Sequence, residues 1–179
     1  MKYYAGIGSR FATKEILNIC YDYGKILAKN NYILRSGHAD GCDIAFENGC
    51  DLINDEKEEL KEIFLPWKNF NGSDSIHYFV NHIPENIEKI TKENYPLWYN
   101  SSIAVKYLHA RNTQQILGEN ADNYSDFVVC YSDRSYDDPA KIGGTMYGIK
   151  LAMKYKIPVF NLYLENQRIM FKEFIDNIS

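Results

Sequence analysis

Short apolar runs and longer stretches of helical periodicity take turns along this chain. Lys2 to Ile7 is aromatic and apolar and stops at Gly8, the pattern of a buried strand. Thr13 then reads as an N-cap, with Glu15 in the first turn. Ile16, Ile19, Cys20, Tyr23, Ile26 and Leu27 repeat at helical spacing up to about Lys29. Asn30-Asn31 breaks that helix, and Tyr32 to Arg35 is a second strand. A second helix follows Asp40, with Ile44, Ala45 and Asn48 at helical spacing and Gly49 near its end. The acidic, solvated stretch Asp55 to Lys61 leads into a third strand, Glu62 to Leu65.

Between about 66 and 96 the pattern weakens. Asn71-Gly72-Ser73-Asp74 is turn-like and Pro84 and Pro96 punctuate the rest, so this insert is expected to be a long loop with one or two short helices, a lid over the site. Helical spacing returns from Leu97 to Leu117 and stops at Gly118. Asp126 to Tyr131 reads as a buried strand, Thr145 to Tyr155 as a helix, Pro158 to Leu164 as a strand and Met170 to Ile178 as an amphipathic helix. The order β-α-β-α-β-insert-α-β-α-β-α predicts one α/β domain over 1–179, a doubly wound, mainly parallel sheet with helices on both faces.

Three of the loops carry glycine where an apolar run passes into a helix. They are Gly6-Ile7-Gly8-Ser9-Arg10, Ser36-Gly37-His38-Ala39-Asp40-Gly41-Cys42-Asp43 and, after the strand ending at Tyr131, Gly143-Gly144-Thr145. Such a turn puts backbone N–H groups and a helix N-terminus on one spot, which suits a phosphate or carboxylate. In a parallel sheet all three converge on the edge at the C-terminal ends of the strands, where such folds bind ligands.

Composition narrows the classes. A net charge of −4 and a pI near 5.6 speak against a duplex-DNA binder that works by neutralising phosphates. No apolar run is long enough for a membrane span, and the N-terminus enters a strand without a signal-peptide layout. Cys20, Cys42, Cys50 and Cys130 form no CxxC pair and read as reduced thiols in a cytoplasmic protein. The fifteen tyrosines serve core edges and surfaces, or the walls of a base-binding pocket. His38, Asp40 and Cys42 match no zinc spacing, so neither a metal nor a cofactor is expected; His77 and His82 read as surface or lid residues.

The first two turns together resemble the SLOG superfamily, which includes the Rossmann-like core of DNA-processing protein A, the LOG-type nucleotide phosphoribohydrolases and small stand-alone bacterial and phage members. The second segment is similar to that group's S-G-G-A-x-G-x-D turn, with His38 in place of the second glycine. Ala110-Arg111-Asn112 resembles the Arg-Asn step in the long helix of the stand-alone members, and Gly143-Gly144-Thr145 the late G-G-T turn. The resemblance runs from about residue 3 to residue 164. It implies a nucleotide ligand and a sensing role in bacterial immune signalling or, in a phage, a sequestering one. LOG-type hydrolases carry a glutamate after the late turn, and here Met146-Tyr147-Gly148-Ile149-Lys150 follows with none.

The expected ligand is therefore a phosphorylated, ribose-containing small molecule, a nucleotide or a signal derived from one. Gly8, Ser9, Arg10, Ser36, Gly37, Gly143, Gly144 and Thr145 would hold phosphate, with Arg10 as a fork-shaped anion partner. His38, Asp40 and Asp43 belong to the same site, an aspartate meeting ribose hydroxyls or a base edge. Asp40 and Asp43 are equally readable as a helix cap with its capping-box partner, and Thr145 as an N-cap. On the resemblance, Arg111 meets a second phosphate. Asp133, Arg134, Asp137 and Asp138 are solvated or form a rim. Two alternatives stand beside binding. One is nucleotide N-glycosidase or phosphoribohydrolase chemistry, with Asp40, Asp43, Glu47 or Asp133 replacing the absent glutamate. The other is a single-stranded DNA binder that stacks bases on tyrosines. A homo-oligomer is left open.

Overall fold

Seven residues, Lys2–Gly8, form β1 in the computed structural model of the chain, which describes residues 1–53, 60–133 and 143–179. Thr13 caps α1 (Lys14–Lys29), its hydroxyl accepting from the Ile16 N–H at 3.4 Å. Asn31, in the left-handed region at φ 60°, turns the chain into β2 (Tyr32–Ser36). Then come α2 (Cys42–Asp51), β3 (Lys61–Ile63), α3 (Glu85–Asn94) and α4 (Ile103–Leu117). The chain continues through β4 (Phe127–Tyr131), α5 (Gly144–Lys154), β5 (Val159–Asn161) and α6 (Glu165–Ile178).

All strand pairings are parallel and the order is β3-β2-β1-β4-β5. The central strands β1 and β4 alternate their buried side chains between two cores. Tyr4, Leu34, Phe127 and Val129 face α1, α2 and α6, meeting Cys20, Leu27, Phe46 and Phe171. Ala5, Ile7, Val128 and Cys130 face α3, α4 and α5, meeting Ile87, Ile116, Ile149 and Leu151. The structure is thus a doubly wound, Rossmann-like sheet with helices on both faces, as the spacing of apolar residues predicts. The chain winds outward from β1 to β3, then crosses back through α4 to β4 on the other side of β1. The C-terminal ends of β1 and β4 therefore lead to opposite faces and leave a crevice between them.

Several boundaries differ from the sequence pattern. Trp98–Asn100 is a separate 3₁₀ turn, and α4 starts only after Ser102, whose hydroxyl caps it through the Val105 N–H at 3.4 Å. β3 stops at Ile63, Leu65 going on to bridge Tyr78. β5 has three residues, and α6 begins at Glu165, five residues ahead of its apolar stripe. Asp40 is not the cap of α2: it is exposed, and Gly41 takes the N-cap position at φ 87° with no side-chain bond. A Cβ at Gly41 would meet the Ser9 carbonyl oxygen at 2.4 Å, so close approach of the two turns selects glycine. Thr145 is not a cap either, because Gly143 precedes the helix. No helix among the described residues is long and apolar enough to cross a membrane.

Candidate functional site

A cavity of about 310 Å³ fills the crevice beyond β1 and β4. Asp43 lies at its floor, in the first turn of α2. Its Oδ1 accepts from the Gly8 N–H at 3.1 Å and its Oδ2 from the Gly37 N–H at 3.2 Å. The carboxylate therefore ties the end of β1 to the end of β2. Burial pushes its pKa up to about 6, against the lowering pull of Arg111 and these two N–H donors. This corrects the phosphate reading of two turns. The Gly8 and Gly37 N–H groups already serve an internal anion, and the Ser9 N–H donates to the Tyr131 carbonyl at 3.0 Å. Asp43 is a structural acceptor here, not a capping-box partner.

One helical turn further on, Glu47 does the same for the rest of that loop. Ser36 donates to its Oε1 at 2.6 Å, as does the His38 N–H at 3.0 Å, and His38 Nδ1 lies 2.6 Å from Oε2. The hydrogen bond to Glu47 raises the His38 pKa. Ser36 is fully buried on this carboxylate, and neither it nor His38, Gly37 or Asp40 lines the cavity. The second turn supports the site from behind.

Arg111 reaches the cavity from α4. It is 4 % exposed, its Nη1 stands 3.6 Å from Asp43 Oδ2, and its guanidinium carbon is 5.6 Å from the centre of the Phe70 ring. Its Nε and Nη1 have no hydrogen-bond partner. A Cβ at Gly37 would fall 1.2 Å from Nη1, so this glycine is the space the guanidinium occupies. Leu108, Arg111, Asn112 and Gln115 form one stripe at i, i+3, i+4 and i+7, and all four line the cavity. Gln115 donates to Asp43 at 3.5 Å. Asn112 packs under Gly144, where a Cβ would stand 2.8 Å from Nδ2.

Arg10 is exposed at the rim, beside the half-buried Ser9. On the other face lie Gly143, Gly144 and Thr145 at the start of α5, and Ser132 follows Tyr131, whose carbonyl accepts from the Ser9 N–H. Asn161 at the end of β5 fixes Ser132, accepting from its N–H at 3.0 Å and donating to its carbonyl at 2.9 Å. His109 also borders the cavity. Its ring stacks on Tyr95 at 3.8 Å between centroids, and burial lowers its pKa to about 4, which keeps it neutral.

Of the residues expected at the site, the structure brings together Gly8, Ser9, Arg10, Asp43, Arg111, Gly143, Gly144 and Thr145. His109 and Gln115 were missed, as was the contact of Asn112 with Gly144, although Asn112 was read with Arg111 as pointing into the site. Their signal was present: polar side chains occupy the stripe of α4 that faces the protein. Asp133 is exposed, and Arg134, Asp137 and Asp138 lie outside the described residues. The 66–96 insert is not a lid. None of it lines the cavity; Phe79, Ile83 and Ile87 pack in one core with residues of α4, and Asn71 donates to the His38 carbonyl in the turn after β2 at 3.0 Å. His77 and His82 border a separate hollow of about 260 Å³ there.

No protein-family model and no curated protein matches this chain. Solved structures do. DNA processing protein A from Helicobacter pylori, described for its single-stranded DNA binding mode, is 21 % identical with a TM-score of 0.59, over 99 % of this chain and 80 % of that one. The molybdenum cofactor binding protein from the phototrophic bacterium Rippkaea orientalis is 20 % identical with a TM-score of 0.55, over 99 % of this chain and 86 % of that one. At these identities the likeness is one of fold, and the fold it gives this chain is the Rossmann-like one.

Proposed function

We propose that this chain, as one SLOG-like domain, binds a phosphorylated, ribose-containing small molecule in the cavity between β1 and β4 and senses or sequesters it. Arg111 carries the reading. A guanidinium that is 4 % exposed at the floor of a cavity, with two nitrogens that make no hydrogen bond and only the 3.6 Å ion pair to Asp43 to offset its burial among the described residues, is costly unless an anion completes it. Arg10 at the mouth and the start of α5 supply further anion contacts. The Gly8 and Gly37 N–H groups leave the proposal, because Asp43 takes them. Binding is favoured over glycosidic cleavage because Asp43 is the sole carboxylate among the described lining residues, and both of its oxygens are engaged. A similar fold in a protein that binds single-stranded DNA supports a nucleotide-like ligand.

The test is a thermal-shift panel of mono-, di- and cyclic nucleotides, NAD and ADP-ribose, repeated on Arg10→Ala. At least one compound should raise the melting temperature. Arg10→Ala should keep its stability within about 0.5 kcal/mol and bind that compound about ten- to a hundredfold more weakly. A flat panel ends the proposal, and chromatographic detection of free base after overnight incubation replaces binding with hydrolysis.

A further inference from the structure

The cavity is divided. Its buried lining holds the polar Asp43, Arg111, Asn112 and Gln115 beside Ile7 and Met146, and its more exposed lining carries, next to Ser9 and Arg10, apolar side chains from both faces of the sheet. Phe11 comes from the turn before α1, and Val105 and Leu108 come from the first half of α4, on the opposite face. Phe11 is 92 % exposed. No core requires it there, and its backbone is held: its N–H donates to Ser9 Oγ at 3.1 Å. An exposed aromatic ring on a fixed turn, across an opening from two aliphatic side chains, is a slot for a flat, apolar-faced group. A floor rich in nitrogen donors below it fits a ligand whose other end is anionic.

We infer that Phe11, with Val105 and Leu108 opposite, forms a stacking slot for the nucleobase of the ligand whose phosphorylated end lies toward Arg111. The inference rests on the proposed anion site and adds the ligand's second half. A base gains from a π-face and an aliphatic wall together, without hydrogen-bond readout, so the slot accepts bases by shape. Phe11 is a binding residue and takes no part in holding the fold.

The experiment compares ligands that differ only in the base. Inorganic phosphate, ribose 5-phosphate and the four 5′-ribonucleoside monophosphates are titrated calorimetrically into the full chain, into Phe11→Ala and into Phe11→Trp. At least one nucleotide should bind about tenfold more tightly than ribose 5-phosphate. Phe11→Ala should remove that advantage without changing the affinity for ribose 5-phosphate, and Phe11→Trp should restore it with quenching of the new indole fluorescence. Equal binding of nucleotide and ribose 5-phosphate by the wild type overturns the slot and leaves the anion site standing. An advantage that survives Phe11→Ala also overturns it. If no compound binds, the proposed function falls and the slot with it. A thymidine oligomer is the last arm. Should it bind more tightly than every mononucleotide and depend on Phe11, stacking is upheld and the small-molecule reading gives way to a single strand.

Discussion

At the residue scale, two buried groups at the cavity carry opposite titration shifts in one pH window. The Asp43 pKa is raised from 3.8 to about 6 and that of His109 is lowered from 6.5 to about 4, burial being the first cause of each. Between pH 4 and 6 the folded state holds more protons than the unfolded state at Asp43, so this group makes stability fall as pH rises. Over the same range the unfolded state holds more protons at His109, so that group makes stability rise with pH. Each effect is about 3 kcal/mol at 1.36 kcal/mol per pK unit, and in the wild type they largely cancel. Removing one should expose the other. Relative to wild type, Asp43→Asn should gain stability as pH goes from 4 to 6, and His109→Gln should lose it. Urea unfolding at half-unit pH steps measures both differences; parallel curves for all three proteins would show that neither group titrates as placed. His38 acts elsewhere, because its raised pKa gives a contribution that is full below 6.5 and fades above it.

At the element scale, sequence periodicity was most legible where a helix buries one apolar stripe. The Thr13 cap and the stripe from Ile16 to Leu27 gave α1 correctly. It was least legible where tertiary contacts set the ends: Ser102 rather than Leu97 starts α4, since Trp98 is buried by a 3₁₀ turn. Two glycines show the limit of propensity. Gly24 in α1 and Gly49 in α2 would each gain about 1 kcal/mol as alanine on helix preference alone. Both sit where the two helices cross. A Cβ at Gly24 would stand 2.4 Å from the Phe46 carbonyl oxygen, and one at Gly49 would stand 2.0 Å from that of Tyr21. Backbone cannot yield as a side-chain tip does, so the sign reverses. Gly24→Ala and Gly49→Ala should each cost about 1–3 kcal/mol in chemical denaturation, the range for overpacked contacts. A stabilised variant would mean that the helices separate at little cost.

At the scale of the whole molecule, the turns were legible and their partners were not. Glycine spacing located the sheet edge, and order β3-β2-β1-β4-β5 brought the first and third turns to one cavity. Nothing in the spacing said that Asp43 would reach back across thirty-five residues to take the Gly8 N–H, because that bond depends on where α2 docks. Arg111 is the point where these levels meet. It crosses from α4 to the space above Gly37, so it links the crossover helix to the far half of the sheet, yet it is underpaired. Replacing it with methionine keeps the length and removes the desolvation cost of one buried charge, but it breaks the ion pair with Asp43. Asp43 then loses an attraction that lowers its pKa, and it keeps the Gly8 and Gly37 donors. Protonation limits that loss: at pH 7 it is about 1.4 kcal/mol for a carboxyl now near 6, and it vanishes as pH falls below that value. Arg111→Met should therefore unfold within about 1–2 kcal/mol of the wild type at pH 7, and its relative stability should improve at pH 5.5. Ligand coupling should behave differently. At a hundredfold excess over its dissociation constant, the best nucleotide should stabilise the wild type by about 2.7 kcal/mol and Arg111→Met hardly at all. Melting curves with and without nucleotide at both pH values test this. A variant that is several kcal/mol less stable without ligand would make Arg111 a structural residue; one that keeps the full nucleotide shift would move the phosphate to Arg10 and the start of α5.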